Sequence, residues 1–415
     1  MNPATSGERE QIIDRVVSRI HQKLYDPSCG GVDVSAVFND RRHHLLEADD
    51  FEQAVNEVLK EIRVSHAGFF HESTRRVAAK IAISATFAVA KTGSGHRWVF
   101  QDVHPGGSAH TAGLEPGDVL LRVAERDLVP PEAPFFPLGE TTRADVEKRD
   151  GRHVRVNLSV PASKSKKRPL VVFDPVTYRQ LGSGVGYIRV AMFPGVIGID
   201  VAKSISAAVR ELACQSLIFD LRGNTGGGIG CLRMISFLTP ASMPVGYSIT
   251  RSKLAGGVDP DQLPVFDRIP ESKWGLLSLI PRFAFRDRSI AIRTEALGPQ
   301  PFHGRIAILM NEHSASSSEI VVGFAAENGL ATLVGTRTPG RMLGANSFKV
   351  GSGFRLALPV VAYRTWSGKS LEGVGVAPDI DVPFSWTAAR TGDPQLEAAK
   401  RAVTGASEAH STVMG

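Results

Sequence analysis

Two segments of the chain, Ser216–Leu221 and Arg305–Met310, are apolar at nearly every position, without the polar alternation of a half-wet strand. A strand of that kind has to be covered on both faces, as the inner strands of a parallel sheet flanked by helices are. Each is followed by a Gly- or Ser-rich turn and then a helical pattern: Ile229–Leu238 after the first, and after the second a helix reaching Asn328, where Gly329 stops it. Val185–Val190, Ala331–Gly335 and Arg355–Val361 read as further strands. Ile199–Leu212 reads as a helix with Val201, Ile205, Val209 and Leu212 on one side. From about 170 onward, strand–helix alternation therefore predicts an α/β layered core. Residues 241–300 interrupt it with prolines, aromatics and no clear period, and read as an insertion over the core and a candidate lid.

With 415 residues, two or three domains are expected. Residues 8–25 and 51–63 carry helical periodicity, the second with Phe51, Val55, Val58, Leu59 and Ile62 on one face. The predicted organisation is a helical segment over 1–80, a small β domain over 81–162, the α/β core over 163–390, and a C-terminal helix or tail over 391–415. The net charge of +6 (48 basic, 42 acidic) is spread thinly, which argues against nucleic-acid binding. The one dense basic run, Lys164–Arg168, reads as a solvated linker. Three cysteines, Cys29, Cys214 and Cys231, form neither a disulfide framework nor a metal-ligand pattern, so no metal or cofactor is expected. The first ten residues lack the apolar run of a signal peptide, and no stretch approaches the roughly 18 apolar residues of a membrane span. A cytoplasmic protein is the default expectation, a periplasmic or secreted one the alternative if a signal has been removed, and a homo-oligomer is compatible with either.

The middle of the chain reads as short strands, Ile81–Phe87, Trp98–Val103, Asp118–Val123 and Val154–Val160, between Gly and Pro turns. Within it stands Pro105-Gly106-Gly107-Ser108-Ala109-His110-Thr111-Ala112-Gly113-Leu114-Glu115-Pro116-Gly117-Asp118-Val119-Leu120. This run is similar to the signature of the PDZ domains attached to bacterial proteases. The resemblance implies an extended peptide added to a sheet edge, its carboxylate held by backbone N–H groups. It places that loop at Ser84 to Ala88, with Ala85, Thr86, Phe87 and Ala88 as peptide-binding residues.

Two turns carry the candidate chemistry. Asn311-Glu312-His313-Ser314-Ala315-Ser316-Ser317-Ser318-Glu319 leaves one buried strand and opens a helix, where unpaired N–H groups stabilise developing negative charge. Ser316 with Glu319 three residues on also reads as a plain capping box. Asp220-Leu221-Arg222-Gly223-Asn224-Thr225-Gly226-Gly227-Gly228 leaves the other strand, and its glycines allow close main-chain approach to a ligand. It lacks the lysine and spacing of a phosphate-binding loop. Together the two turns resemble the carboxy-terminal processing peptidases, with their D-L-R-x-N-x-G-G and later S-A-S-x-S-E. The resemblance implies a crotonase-like α/β core and a serine nucleophile at Ser316. It also implies backbone oxyanion donors at Gly226 and Ser317, with Gly227 beside them.

The same family carries a lysine base in T-x-G-K-G, but here that position holds Arg341, and a guanidinium does not serve as a base. A second branch, the tricorn core protease and its relatives, has a Ser-His pair ahead of the PDZ domain and a glutamate before a G-V-x-P-D segment. Ser65-His66 and Glu372 stand in those places. That resemblance implies His66 as general base, Ser65 orienting it and Glu372 holding Ser65. The implied function is an endopeptidase acting on unfolded or flexible polypeptides, recognised through their C-termini. Two rivals stay open: a catalytically dead core that only binds peptides, which Arg341 favours, and a hydrolase of small esters.

Overall fold

The computed structural model describes residues 5–62, 64–73, 76–162, 174–272, 274–275, 277 and 289–405. The Lys164–Arg168 linker reading lies outside them. The fold is a mixed α/β one, and the chain divides into two compact units that cut across the expected linear segments.

The first unit joins Met1–Thr74, Met243–Thr294 and Gly340–Gly375. Its helices Ser6–Lys23 and Phe51–Lys60 are the two the periodicity predicts. Val34–Asp40 and Arg42–Glu47 are shorter helices, too brief to leave a legible period. Thr5 and Glu8 close a reciprocal capping box on the first helix. All five residues of the expected Phe51–Ile62 stripe are buried. They join Ile12, Val16, Phe69 and Leu356 in one core, where the Phe69 and Phe354 rings stack 4.8 Å apart.

That core lies against a sheet ordered Gly68–His71, Phe354–Thr365, Pro244–Thr250, Ile290–Arg293, Val265–Phe266, with Gly344–Gly351 also pairing Phe354–Thr365. Three of these strands lie within 241–300, so that stretch supplies sheet and is not the irregular insertion expected. The strands are short, and the ladder shifts register between Pro244 and Gly246, which erases a period of two. The strand expected at Arg355–Val361 runs over Phe354–Thr365 and belongs to this mainly antiparallel sheet, not to the parallel layer.

The second unit joins Arg75–Ser242, Glu295–Pro339 and Val376–Gly415. One of its sheets runs Val176–Gln180, Val185–Val190, Ser216–Asp220, Ile306–Met310, Thr332–Gly335, Ile380–Asp381. The first pair is antiparallel and the rest parallel. Every residue of Ser216–Asp220 and Ile306–Met310 is buried, as their composition requires. Helices Ile199–Leu212, Cys231–Ser236, Ser317–Asn328 and Pro394–Thr404 accompany the sheet. Leu396, Ala399 and Val403 of the last join Ile218, Leu309 and Val334 in its core.

Within the same unit, Ala85–Thr92, Gly95–Val103, Val119–Val123, Thr141–Glu147 and His153–Ser159 form an antiparallel sheet in that order around Phe100, Leu120, Val146 and Leu158. The strand expected over Ile81–Phe87 begins only at Ala85: Ala79–Ala82 is a helical turn, and Ser84 has a positive φ of 58° that ends it. Among the described residues, no helix is long and apolar enough to cross a membrane.

Candidate active site

Strand Ile306–Met310 ends in a turn whose last residue, Ser316, precedes helix Ser317–Asn328. Ser316 has φ 57° and ψ −119°, a conformation that costs a non-glycine residue about 1–3 kcal/mol and persists only when its surroundings enforce it. They do. The Ser316 N–H donates to Glu319 Oε2 at 3.1 Å, and the carboxylate, fully buried, also accepts from Thr338 Oγ1 at 2.8 Å. Ala315 N–H donates to the Asn224 carbonyl at 2.9 Å, and Ser318 Oγ to the same carbonyl at 3.2 Å. Ser314 Oγ donates to the Leu221 carbonyl at 2.8 Å. A strand-to-helix elbow with a strained serine at its apex sets that serine at a helix N-terminus.

The Leu221–Gly228 loop is fitted against this elbow. A Cβ on Gly226, which has φ 89°, would lie 2.6 Å from the Ala315 carbonyl oxygen and from Ser316 Cβ. No side chain fits there. Gly228 N–H donates to the Phe193 carbonyl at 2.7 Å, and Phe193 N–H to the Gly226 carbonyl at 3.0 Å. One expectation needs correction: the Gly226 N–H, read as an oxyanion donor, donates to Asn224 Oδ1 at 2.8 Å. An Asn side chain bonding the main chain two residues on is the usual Asx turn, and it takes that donor up. Ser317 begins the helix and Gly227 follows Gly226, so the structure brings Ser316, Ser317, Gly226 and Gly227 together.

Sequence reading left Asn311 and Asp102 without roles. Asn311 Nδ2 donates to Asp102 Oδ2 at 2.8 Å, and Asn311 Oδ1 accepts from the Gly223 and His313 N–H groups, both at 3.1 Å. One buried amide thus joins the nucleophile turn, the glycine loop and the small antiparallel sheet. Nothing in the sequence could pair residues 102 and 311, because only the fold makes them neighbours.

Behind the glycine loop lies a buried ionic cluster. Asp220 accepts from Tyr187 Oη at 2.7 Å, Arg189 Nη1 at 3.0 Å and Arg222 Nη2 at 2.7 Å. Burial alone would raise its pKa, but the Arg222 and Arg189 guanidinium groups hold the carboxyl far below the ordinary range. His104 moves from 6.5 to about 4, because burial disfavours its cation and Arg189 repels the proton, with Asp102 and Asp220 opposing. The native state therefore binds fewer protons than the unfolded chain between those values. This contribution to stability, on the order of 3 kcal/mol, is complete above pH 6.5 and is lost as pH falls toward 4. Urea midpoints measured from pH 7 to pH 4.5 should fall steeply, and His104→Gln should flatten that slope. An unchanged slope in the variant would assign the acid sensitivity to other groups.

Cys231, near the end of the same loop, is buried, and burial pushes its thiol up to about 12. A thiol of that pKa is not an alternative nucleophile.

Ser65, His66 and Glu372 are brought together in the other unit. Ser65 and His66 occupy the turn between helix Phe51–Lys60 and strand Gly68–His71, where His66 has a φ of 61°. Ser65 Oγ lies 2.7 Å from His66 Nδ1. When Nδ1 donates to that hydroxyl, Nε2 carries the lone pair a base needs. Glu372 Oε1 accepts from the Ser65 N–H at 3.0 Å and Oε2 from the Met342 N–H at 2.7 Å. Its hold on Ser65 is through the main chain, so the carboxylate fixes the turn and leaves the hydroxyl to the imidazole.

The expected peptide-binding residues sit differently from the sequence reading. Ala85, Thr86, Phe87 and Ala88 form no loop: they lie in the strand, paired with Val103, Asp102, Phe100 and Val99. Thr86 is buried and its hydroxyl donates to Asp102 Oδ2 at 2.6 Å. The Ala85–Thr92 strand is an edge of its sheet, and the Phe87 carbonyl accepts from His313 Nε2 at 3.2 Å.

The profile of peptidase family S41 matches residues 184–382. The carboxyl-terminal-processing protease of Synechocystis sp. is 27% identical over 315 residues, 72% of this chain and 63% of that one. A carboxy-terminal-processing protease of Bartonella bacilliformis is 39% identical over 231 residues, 55% of this chain and 45% of that one. The fold resembles a solved photosystem II D1 C-terminal processing protease, with a TM-score of 0.54 at 17% identity, covering 95% of this chain and 97% of that one. This chain spans 63%, 54% and 59% of the length of three curated relatives it matches.

Proposed function

We propose that the chain, whose residues 184–382 match peptidase family S41, is a serine endopeptidase acting on unfolded or flexible polypeptides through an acyl-enzyme on Ser316. The observation that carries this reading is the enforced strain at Ser316, seated against a glycine loop that admits no side chain. Ser316 and Glu319 also close a reciprocal capping box, but a capping serine needs no positive φ, whereas a nucleophile on a strained elbow does.

In the proposed reaction His66 takes the proton from Ser316 as the oxygen attacks the scissile carbonyl. The resulting oxyanion accepts from the Ser317 and Gly227 N–H groups. The C–N bond breaks, and the leaving amine receives the proton from His66. Water then attacks the ester with His66 again as base, freeing Ser316 and the new carboxylate. Ser65 orients the imidazole, and Glu372 holds the turn that carries it. The core is taken as crotonase-like. The small domain over 81–162 is taken as PDZ-like, receiving a C-terminal peptide segment along the Ala85–Thr92 edge.

The test is a fluorophosphonate probe with casein as substrate. The wild-type chain should be labelled at Ser316 and should cleave casein in preference to small esters, and Ser316→Ala should lose both properties. An unlabelled wild-type chain would sink the reading. Esterase activity without proteolysis would replace it with small-molecule hydrolysis.

A further inference from the structure

The S-A-S-x-S-E pattern leaves one position open, and here it is Ser317. Its hydroxyl is buried and turned back onto the glycine loop, with Oγ 2.8 Å from the Gly227 carbonyl oxygen and 3.1 Å from that of Gly228. We propose that the Ser317 hydroxyl is a positioning group that fixes the spacing between the two oxyanion donors, a role that rests on the reading of the Ser317 and Gly227 N–H groups as those donors.

One donor belongs to Ser317 itself and the other to Gly227, so a bond from the side chain of the first to the carbonyl of the second ties together the residues that carry both. The other serine ties of the elbow reach earlier carbonyls, those of Leu221 and Asn224. Glycine at 227, with φ 137°, has no side chain of its own to anchor its peptide plane. Two main-chain bonds hold this end of the loop to Phe193, and the Ser317 hydroxyl ties it to the nucleophile helix.

An oxyanion hole acts on charge that develops only in the transition state, so a loosened donor pair lowers kcat and spares substrate binding. Losing a donor outright typically costs on the order of 100- to 1000-fold. Displacing one should cost less, about tenfold.

The experiment compares the full-length wild type with Ser317→Ala and Ser317→Thr, the latter keeping the hydroxyl. Casein-peptide kcat and KM, the rate of fluorophosphonate labelling and the melting temperature are measured on each. The expected result is a kcat about tenfold lower in Ser317→Ala, with KM and melting temperature near wild type, slower labelling, and recovery in Ser317→Thr. Wild-type kcat in Ser317→Ala overturns the proposal. So does a loss that tracks a lowered melting temperature and is not recovered by threonine, since the hydroxyl is then only structural. A wild-type chain that neither labels nor cleaves overturns the parent reading together with this one.

Discussion

His66→Ala is expected to lower kcat by about 10⁴-fold or more while leaving the fold intact. Removing the base of a serine–histidine pair leaves an alkoxide that has to form without an acceptor for its proton, and effects on the order of 10⁶ occur in such systems. The imidazole lies on a turn whose Ser65 N–H is held by the Glu372 carboxylate, itself fixed by the Met342 N–H, so the side chain can be removed without dissolving the turn. Glu372→Ala should cost less than His66→Ala, because it acts on the orientation of the turn and not on the proton. Arg341→Ala should retain substantial activity. The pH–rate profile should rise in the range of a histidine, below that of a lysine base. A His66→Ala enzyme that stays active would overturn the assignment of the base.

Gly226→Ala should lower kcat by about 100- to 1000-fold, the scale of a lost oxyanion donor. An added methyl would stand 2.6 Å from the Ala315 carbonyl oxygen and Ser316 Cβ and 2.9 Å from the Ser317 nitrogen. All three neighbours belong to the elbow, so the loop has to move away from the nucleophile. Gly182→Ala is the matching control. Its φ of 85° imposes similar backbone strain, but nothing lies within 4 Å of the added carbon. Near-normal turnover is expected there. Fluorophosphonate labelling and steady-state kinetics on both variants separate contact from strain. Comparable losses in the two would attribute the effect to backbone conformation alone, and normal turnover in Gly226→Ala would remove the loop from the mechanism.

What the sequence by itself determined was local. The run of apolar residues through Ser216–Leu221 and Arg305–Met310 requires burial on both faces, and both segments became inner strands of the parallel layer. The stripe from Phe51 to Ile62 required a helix with one buried face. The glycines of the 223–228 loop and the serines of the elbow announced a turn where backbone comes close to something, because those residue types are needed wherever Cβ atoms or apolar side chains cannot fit. In each case the determining interaction lies within one element or one turn, within reach of a sequence period.

The tertiary structure decided everything that depends on which turns meet. The long Phe354–Thr365 strand pairs with Pro244–Thr250 on one side and with Gly68–His71 on the other, where Gly68 and Ala357 meet from almost 300 residues apart along the chain. The Gly226 N–H was free on paper and is taken by Asn224, since an Asx turn depends on a side-chain rotamer. Thr86 reads as a loop residue and is a buried strand residue bonded to Asp102. The Asn311–Asp102 bond and the return of the Ser317 hydroxyl to Gly227 leave no trace in local composition. Hydrogen bonds act over about 3 Å of space whatever the separation in sequence, and only the packed chain sets which polar groups come that close.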